Sequence, residues 1–297
     1  MGRTVMVTGA TSGVGRATAL RLAAAGYDVF ATARSAEKAE KLRAAAAERG
    51  VPLSCVLLDV ADPCSCRDAF EQVAERSDGG PWALVNNAGI PLAGAVEDIG
   101  DDAARHLLEV NLLAPARLAR LVLPVMRRRG EGRIVNISSL GGHVTAPAMG
   151  WYCASKTALG VLNDALRMET GPGGVHVVVI EGGGYATGIW ERAADGLQRL
   201  AVQERSPFAA LYRAAEGPLR AAVKLPPPEP MAHAVQRALD ADRPRARYIV
   251  GARTRVGIAA DALTPCRAGD HVKRVALGAS RAHPLLEHLA HRWCRPW

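Results

Sequence analysis

Apolar positions in this chain fall into short unbroken runs, and the runs alternate with stretches of helical spacing. Runs at 4–8, 27–33, 53–58, 82–86, 133–137 and 175–180 predict strands. Between them, 17–25, 36–49, 62–76, 101–129 and 151–169 repeat apolar residues at helical spacing. Gly26 and Gly50 stop the first two helices, and Asp62 is placed to cap the third. Pro115 and Pro124 predict bends in the long 101–129 helix. Strands that are apolar throughout belong to a parallel sheet covered on both faces. Their alternation with helices makes right-handed βαβ units. The prediction is an α/β fold: a doubly wound, mostly parallel sheet with helices on both faces.

Beyond Thr187 the pattern changes. Residues 188–225 read as helices, 226–230 as a proline-rich break, 231–241 as a further helix and 248–250 as a short strand. The last forty residues are rich in Arg, His and Pro and only weakly periodic. The expected organisation is one domain over 1–260, a helical extension at 188–241 within it, and a tail or lid at 261–297. A length of 297 residues is enough for a large core without staples. With 49% apolar and 22% charged residues, the composition excludes disordered, collagenous and coiled-coil classes.

The formal net charge of +8 is scattered. The densest run, Arg127-Arg128-Arg129, precedes Gly130 and reads as a helix C-terminus matched to its dipole. No nucleic-acid motif accompanies it, so no nucleic-acid partner is expected. The six cysteines make no CxxC pair and have no nearby His cluster, which predicts free thiols in a reducing compartment and no metal site. The start reads directly into a strand rather than a leader, and no apolar run is long enough to span a bilayer. The expected setting is cytoplasmic, without a membrane span.

The candidate chemistry begins at Val7-Thr8-Gly9-Ala10-Thr11-Ser12-Gly13-Val14-Gly15, which leaves the first strand and opens the first helix. Gly9 permits a tight turn, Gly13 lets backbone approach a phosphate, and Gly15 lets helix and strand pack closely. A pyrophosphate would sit at that helix N-terminus. Asp59 ends the third strand, and Asn86-Asn87-Ala88-Gly89 ends the fourth. Asn111 lies in the long helix, and Ser138-Ser139 ends the fifth strand. Then comes Tyr152-Cys153-Ala154-Ser155-Lys156. A Tyr and a Lys four apart share one helix face, and an ammonium beside a phenol is expected to lower its pKa. The second strand ends at Ala33-Arg34. An NAD site of this fold carries a carboxylate there; Ala33 removes that charge, and Arg34 can grip a 2′-phosphate in bidentate fashion. This predicts NADP(H) rather than NAD(H).

Together these motifs resemble the short-chain dehydrogenase/reductase family, over about residues 3–190. Leu140-Gly141-Gly142 after Ser139, the Tyr-Cys-Ala-Ser-Lys run and Arg247-Tyr248-Ile249-Val250-Gly251 look most similar to its 17β-hydroxysteroid and retinol dehydrogenase branch. The resemblance implies a Rossmann fold and a catalytic set of Asn111, Ser139, Tyr152 and Lys156. Ser139 is favoured over Ser138 because it stands thirteen residues before Tyr152, the family's usual separation. The implied cofactor contacts are Gly9, Thr11, Ser12, Gly13, Val14, Gly15, Arg34, Asp59 and Val60. To these it adds Asn87, Ala88, Gly89, Tyr152, Lys156, Gly183 and Thr187. Asp59 would hold adenine, and Asn111 would anchor a water between Lys156 and solvent.

One departure stands out. The family's Pro-Gly-x-x-x-Thr after the sixth strand is here Gly182-Gly183-Gly184-Tyr185-Ala186-Thr187, which predicts a looser, mobile loop. The implied reaction is NADPH-dependent ketone reduction or the reverse alcohol oxidation, in a homodimer or homotetramer. The substrate class is a medium-sized hydrophobic ketone: steroid-, retinoid- or polyketide-like. The candidate pocket is Leu140, His143, Val144, Met149, Tyr185 and Trp190. Two other readings stay open on the same fold: epimerisation, dehydration or cyclisation with bound NADP, and a non-enzymatic NADP-sensing protein. Net NADPH consumption with a ketone separates the first reading from both.

Overall fold

The computed structural model describes residues 3–202 and 206–276. The elements run β1 (Thr4–Val7), α1 (Gly13–Ala24), β2 (Asp28–Ala33), α2 (Ala36–Ala47), β3 (Ser54–Leu57), α3 (Pro63–Glu75) and β4 (Ala83–Asn86). Then follow α4 (Asp101–Leu108), α5 (Ala114–Arg129), β5 (Gly132–Ser139), α6 (Gly150–Thr170) and β6 (Val175–Gly182). The C-terminal part holds α7 (Ile189–Val202), α8 (Ala209–Ala221), α9 (Glu229–Asp240), β7 (Arg247–Val250), α10 (Ala252–Leu263) and α11 (Cys266–Ala276).

The strands form one parallel sheet in the order β3-β2-β1-β4-β5-β6-β7. The chain reverses direction across the sheet between β1 and β4, which opens a crevice above their carboxyl ends. Successive strand residues bury on opposite faces. Val5 and Val7 join Val29, Val135 and Val178 against α1 and α9. Met6 joins Phe30, Leu84 and Ile134 against α3 and α5. Two buried faces require apolar residues at every position, which is why these strands read as unbroken apolar runs. A third apolar cluster lies under α7 and α8, built from Ala93, Ala95, Ala193, Leu197, Tyr212 and Ala215.

The fold matches the predicted α/β sheet, and three local differences have physical causes. The predicted 101–129 helix is interrupted by a π-helical turn at Glu109–Leu113, just before Pro115 removes a backbone donor from the first turn of α5. Pro124 lies inside α5 without ending it, and α5 stops at left-handed Gly130 after Arg127, Arg128 and Arg129, as expected. Of the expected tail or lid, 261–263 end α10 and Cys266–Ala276 form α11; 277–297, with the rest of it and Cys294, lie outside the described residues. Finally, Gly182 closes β6 in register with Val250. A Cβ on Gly182 would stand 2.5 Å from the Met231 Sδ, and one on Gly183 would stand 2.7 Å from the Thr254 Oγ1. The glycines here make room for close packing by α9 and α10, a constraint the local sequence does not show.

At the β5–β6–β7 edge a half-exposed charged network is built around one buried carboxylate. Glu181 is 1% exposed. Its carboxylate accepts from Arg247 at 2.6 Å and pairs with the His143 Nε2 at 2.8 Å. Arg247 also binds Asp164, which is shared with Arg167. Burial alone would raise the Asp164 carboxyl, but the two guanidiniums outweigh it and hold it low. The network ties the segment after Ser139 to β6 and β7. Removing Arg247 would leave Glu181 buried with its main counter-charge gone. Arg247→Ala should therefore lower unfolding stability by about 3 kcal/mol, read as a shift of the urea midpoint at neutral pH; an unchanged midpoint would show the network to be energetically neutral.

Candidate active site

The crevice above β1 and β4 holds a cavity of about 280 Å³. Its floor is the turn between β1 and α1. Gly9 and Gly13 have φ of +62° and +52°, a left-handed region that disfavours side chains. A Cβ on Gly9 would meet the Ala88 Cα at 2.9 Å, and one on Gly15 would meet the Gly9 carbonyl oxygen and the Asn87 Nδ2 at 2.3 Å. The absent side chains let β4 come down onto the turn. Asn87 locks the contact by donating from Nδ2 to the carbonyls of Thr8 at 2.9 Å and Gly9 at 3.1 Å. The Thr8 hydroxyl accepts from the backbone N–H of Asn87 and of Ala88 at 2.9 and 3.0 Å. Ser12 precedes α1 but its side chain makes no capping bond, so the first N–H groups of the helix face the cleft without a side-chain acceptor. Those N–H groups and the helix dipole fit a phosphate.

The cavity brings together most of the expected cofactor residues: Gly9, Thr11, Ser12, Gly13, Val14, Arg34, Asp59, Val60, Asn87, Ala88, Gly89, Gly183 and Thr187 all line it. Gly15 lies beneath them as a packing position. The Asp59 carboxylate accepts from the Ala61 N–H at 3.0 Å, which holds it at the rim. Thr187 lies over the glycine turn, its Cγ2 3.0 Å from where a Gly13 Cβ would stand. At one end of the cavity β2 closes with buried Ala33, followed by Arg34 and then Lys38 in the first turn of α2.

Ser139, Tyr152 and Lys156 line the same cavity. Ser139 ends β5, and its hydroxyl accepts from the Gly141 N–H at 3.1 Å, starting a short 3₁₀ turn at Leu140–Gly142. Tyr152 and Lys156 stand one turn apart on α6, with the Lys156 Nζ 6.0 Å from the Tyr152 ring centre. The ammonium is turned to the Ile137 carbonyl, to which it donates at 3.0 Å. The expected lowering of the phenol pKa by Lys156 is therefore not what this geometry produces. Burial pushes Tyr152 up to about 12 against the opposing effect of a hydrogen bond with Ser139. Burial also pushes Lys156 down to about 8. The wall thus holds a phenol that keeps its proton and an ammonium that gives one up readily.

Asn111 lies behind this wall, in the π turn. Its Oδ1 accepts from the Ile90 N–H at 2.9 Å, and its Nδ2 donates to the Ile90 carbonyl at 3.0 Å and the Ser155 Oγ at 3.1 Å. It flanks Gly89 opposite Lys156: a Gly89 Cβ would stand 3.4 Å from the Asn111 Oδ1 and 3.7 Å from the Lys156 Nζ. The irregular turn is what aims an amide from the helix into a loop beside α6.

Of the expected pocket residues, Tyr185 and Trp190 line the cavity, with the Trp190 indole donating to the Tyr185 carbonyl at 2.7 Å. Leu140, His143, Val144 and Met149 are not among its lining residues. His143 is drawn to Glu181, the Val144 carbonyl accepts from the Cys153 thiol, and Met149 packs on the cluster under α7 and α8. Residues that sequence reasoning missed include Lys38, Ile90, His106, Ile189, Arg192 and Met231. Lys38 carried a signal: a cation in a helix's first turn opposes the dipole. The others come from separate loops and helices with no motif. Among the described residues no His, Cys, Asp and Glu cluster can hold a metal, five cysteines are free thiols, and no helix is long and apolar enough to cross a membrane.

The sequence pattern of the short chain dehydrogenase family matches residues 3–198. The chain is 35% identical over 264 residues to human 17-beta-hydroxysteroid dehydrogenase type 1, covering 85% of this chain and 79% of that protein. Among solved structures it is similar to a short-chain dehydrogenase from Streptomyces avermitilis, with TM-score 0.74, 31% identity and coverage of 94% and 98% of the two chains. It is also similar to an actinorhodin polyketide ketoreductase solved with NADPH, with TM-score 0.71, 30% identity and coverage of 84% and 95%. Sheet order, glycine turn and the Ser139-Tyr152-Lys156 wall agree with that likeness: the chain belongs to the short chain dehydrogenase family of oxidoreductases.

Proposed function

We propose that this protein is an NADPH-dependent ketoreductase, or in reverse an alcohol dehydrogenase, acting on a medium-sized hydrophobic ketone or secondary alcohol. The observation that carries the reading is the presence of Ser139, Tyr152 and Lys156 in the cavity whose floor is the glycine turn. The turn and the α1 N-terminus would hold the pyrophosphate, Asp59 the adenine edge, and Arg34 the 2′-phosphate. Thr187 would hold the nicotinamide carboxamide. Support for the phosphorylated dinucleotide comes from Ala33-Arg34 at the end of β2 and from the NADPH bound in the polyketide ketoreductase. When bound, the cofactor would supply the hydride for the carbonyl carbon.

The chain's own groups handle the proton and the charge. Tyr152, protonated up to about pH 12, donates from its hydroxyl to the carbonyl oxygen as general acid. Ser139 donates a hydrogen bond to the same oxygen and stabilises its developing charge. Lys156 would hold the nicotinamide ribose and place a positive charge behind the phenol, and Asn111 fixes the loop at Ile90 beside it. Tyr185, Ile189, Trp190, Met231 and Ile90 supply apolar wall for the substrate. The ketone class is supported by that wall and by the activities named for the steroid dehydrogenase and polyketide ketoreductase relatives. A homodimer or homotetramer through α6 is supported by Val161, Leu162 and Met168, which stand 67%, 37% and 69% exposed there.

Tyr152→Phe should lower turnover of a ketone by about 10²–10⁴-fold while NADPH binding, followed by fluorescence, stays within a factor of about two. Native turnover in the Tyr152→Phe enzyme would remove the scheme. Lys156 bears its charge only below about pH 8, so the rate of reduction should decline as pH rises through that value. Arg34→Ala should raise the NADPH Kd by about tenfold with little change for NADH; equal effects on both would remove the NADP assignment. Sedimentation velocity should show a mass of at least two chains, reduced by charged substitutions at Val161 and Met168.

A further inference from the structure

In the proposed reaction Ser139 must present its hydroxyl to the substrate oxygen, and a three-residue turn sets that hydroxyl. The Ser139 Oγ accepts from the Gly141 N–H at 3.1 Å, at the start of the 3₁₀ turn Leu140–Gly142. The turn closes at His143, whose backbone N–H donates to the Leu140 carbonyl at 2.9 Å, as does that of Val144. Its two glycines lie against α6. A Cβ on Gly141 would stand 3.3 Å from the Tyr152 Cε1, and one on Gly142 would stand 3.3 Å from the Lys156 carbonyl oxygen. A shift of this short turn therefore reaches Ser139, the Tyr152 ring and the backbone of Lys156 together.

The turn is held from two sides. On α6, the Thr157 Oγ1 donates to the Gly142 carbonyl at 3.1 Å. On the sheet, the His143 Nε2 meets the Glu181 Oε1 at 2.8 Å. A carboxylate only accepts, so this ring nitrogen carries the hydrogen. Glu181 is buried in β6, in register with Ser138 of β5. The same Glu181 oxygen accepts from Arg247 of β7 at 2.6 Å, and Arg247 reaches on to Asp164 of α6. Turn, β6, β7 and α6 thus close a circuit, and α6 is the helix that carries Tyr152 and Lys156.

Within this circuit the two partners of Glu181 have different work. Arg247 supplies the counter-charge that a buried carboxylate needs. His143 meets an oxygen that Arg247 already holds, and its own side chain is 30% exposed, so it adds little to stability. What its ring adds is a fixed point for the turn on the sheet edge. We infer that His143 is a positioning residue for ketone reduction: by donating to Glu181 it fixes the Leu140–Gly142 turn, and through that turn it holds the Ser139 hydroxyl beside the Tyr152 phenol. The inference rests on the ketoreductase reading and goes beyond it, since His143 is not among the residues lining the cavity and acts through Ser139. A hydrogen bond to developing charge is made in the transition state, so its misalignment lowers kcat more than it raises KM.

The test uses the full chain, NADPH, and two probe ketones of the proposed class, decalone and estrone. His143→Ala should lower kcat by about tenfold, while KM and the NADPH Kd stay within about twofold. His143→Gln keeps an N–H donor near the Nε2 position and should recover most of the lost kcat. The urea midpoint of His143→Ala should move by less than that of Arg247→Ala. Wild type that reduces neither ketone would overturn the ketoreductase reading and the positioning role with it. Wild-type activity that His143→Ala leaves intact would overturn the positioning role alone. So would an equal loss in His143→Ala and His143→Gln, since the bond to Glu181 would then not be what matters. A loss confined to KM would place His143 on the substrate, and a midpoint shift as large as that of Arg247→Ala would make it a stability element; either result overturns the inference.

Discussion

The site depends on a contact that exists because side chains are missing. β4 comes down on the turn between β1 and α1 so closely that a Cβ at Gly9 or Gly15 would overlap the Ala88 backbone, the Asn87 amide or the turn itself. That approach lets Asn87 and Thr8 stitch the two strand ends together across the switch point of the sheet. It also leaves the first N–H groups of α1 facing the cleft. Packing and ligand recognition thus share one cause. A methyl group at Gly15 would disturb both, because the stitching bonds and the phosphate cradle use the same backbone.

The opposite wall is governed by desolvation. Lys156 is buried and Tyr152 half-buried beside it, and desolvation moves their pKa values in opposite directions, toward the neutral form of each. The Ile137 carbonyl partly compensates the ammonium, and the Ser139 hydroxyl partly offsets the effect on the phenol. Behind them, charge is handled differently. Glu181 keeps its place in the core because Arg247 and His143 both meet its Oε1, although its buried Oε2 has no hydrogen-bond partner among the described residues. One edge of the sheet neutralises its buried charge by pairing, while the cleft leaves its cations unmatched.

The covering helices connect these two regimes. Tyr212 is fully buried under α8, and its hydroxyl donates to Asp98 and accepts from the Ala95 N–H, anchoring α8 to the loop after β4. From that anchor α7 runs back over the glycine turn, bringing Thr187, Trp190 and Arg192 to the cavity. The triple glycine at Gly182–Gly184 suits this role by size. Met231 and Thr254 press against Gly182 and Gly183, so the chain turns from the sheet into the cover within tight quarters.

Local pattern along the chain settles the parallel sheet, since strands buried on both faces must be apolar throughout, and 3.6-residue spacing marks the helices between them. It also settles where the glycine turn lies, that Tyr152 and Lys156 share one helix face, and Asp62 as a cap, each a short-range feature. It does not say which loops meet. His143 looks like a pocket residue from its position after Ser139, but Glu181, thirty-eight residues away, draws it into the sheet edge. Asn111 looks like part of an unbroken helix, but a π turn before Pro115 re-aims it toward Ile90. Lys38, Arg192 and Met231 reach one cavity from three separate helices. Periodicity records only which face of an element is buried. Which other element lies against that face, and whether a charge there finds a partner, is decided by contacts between residues far apart in the chain, and those exist only once the sheet has closed.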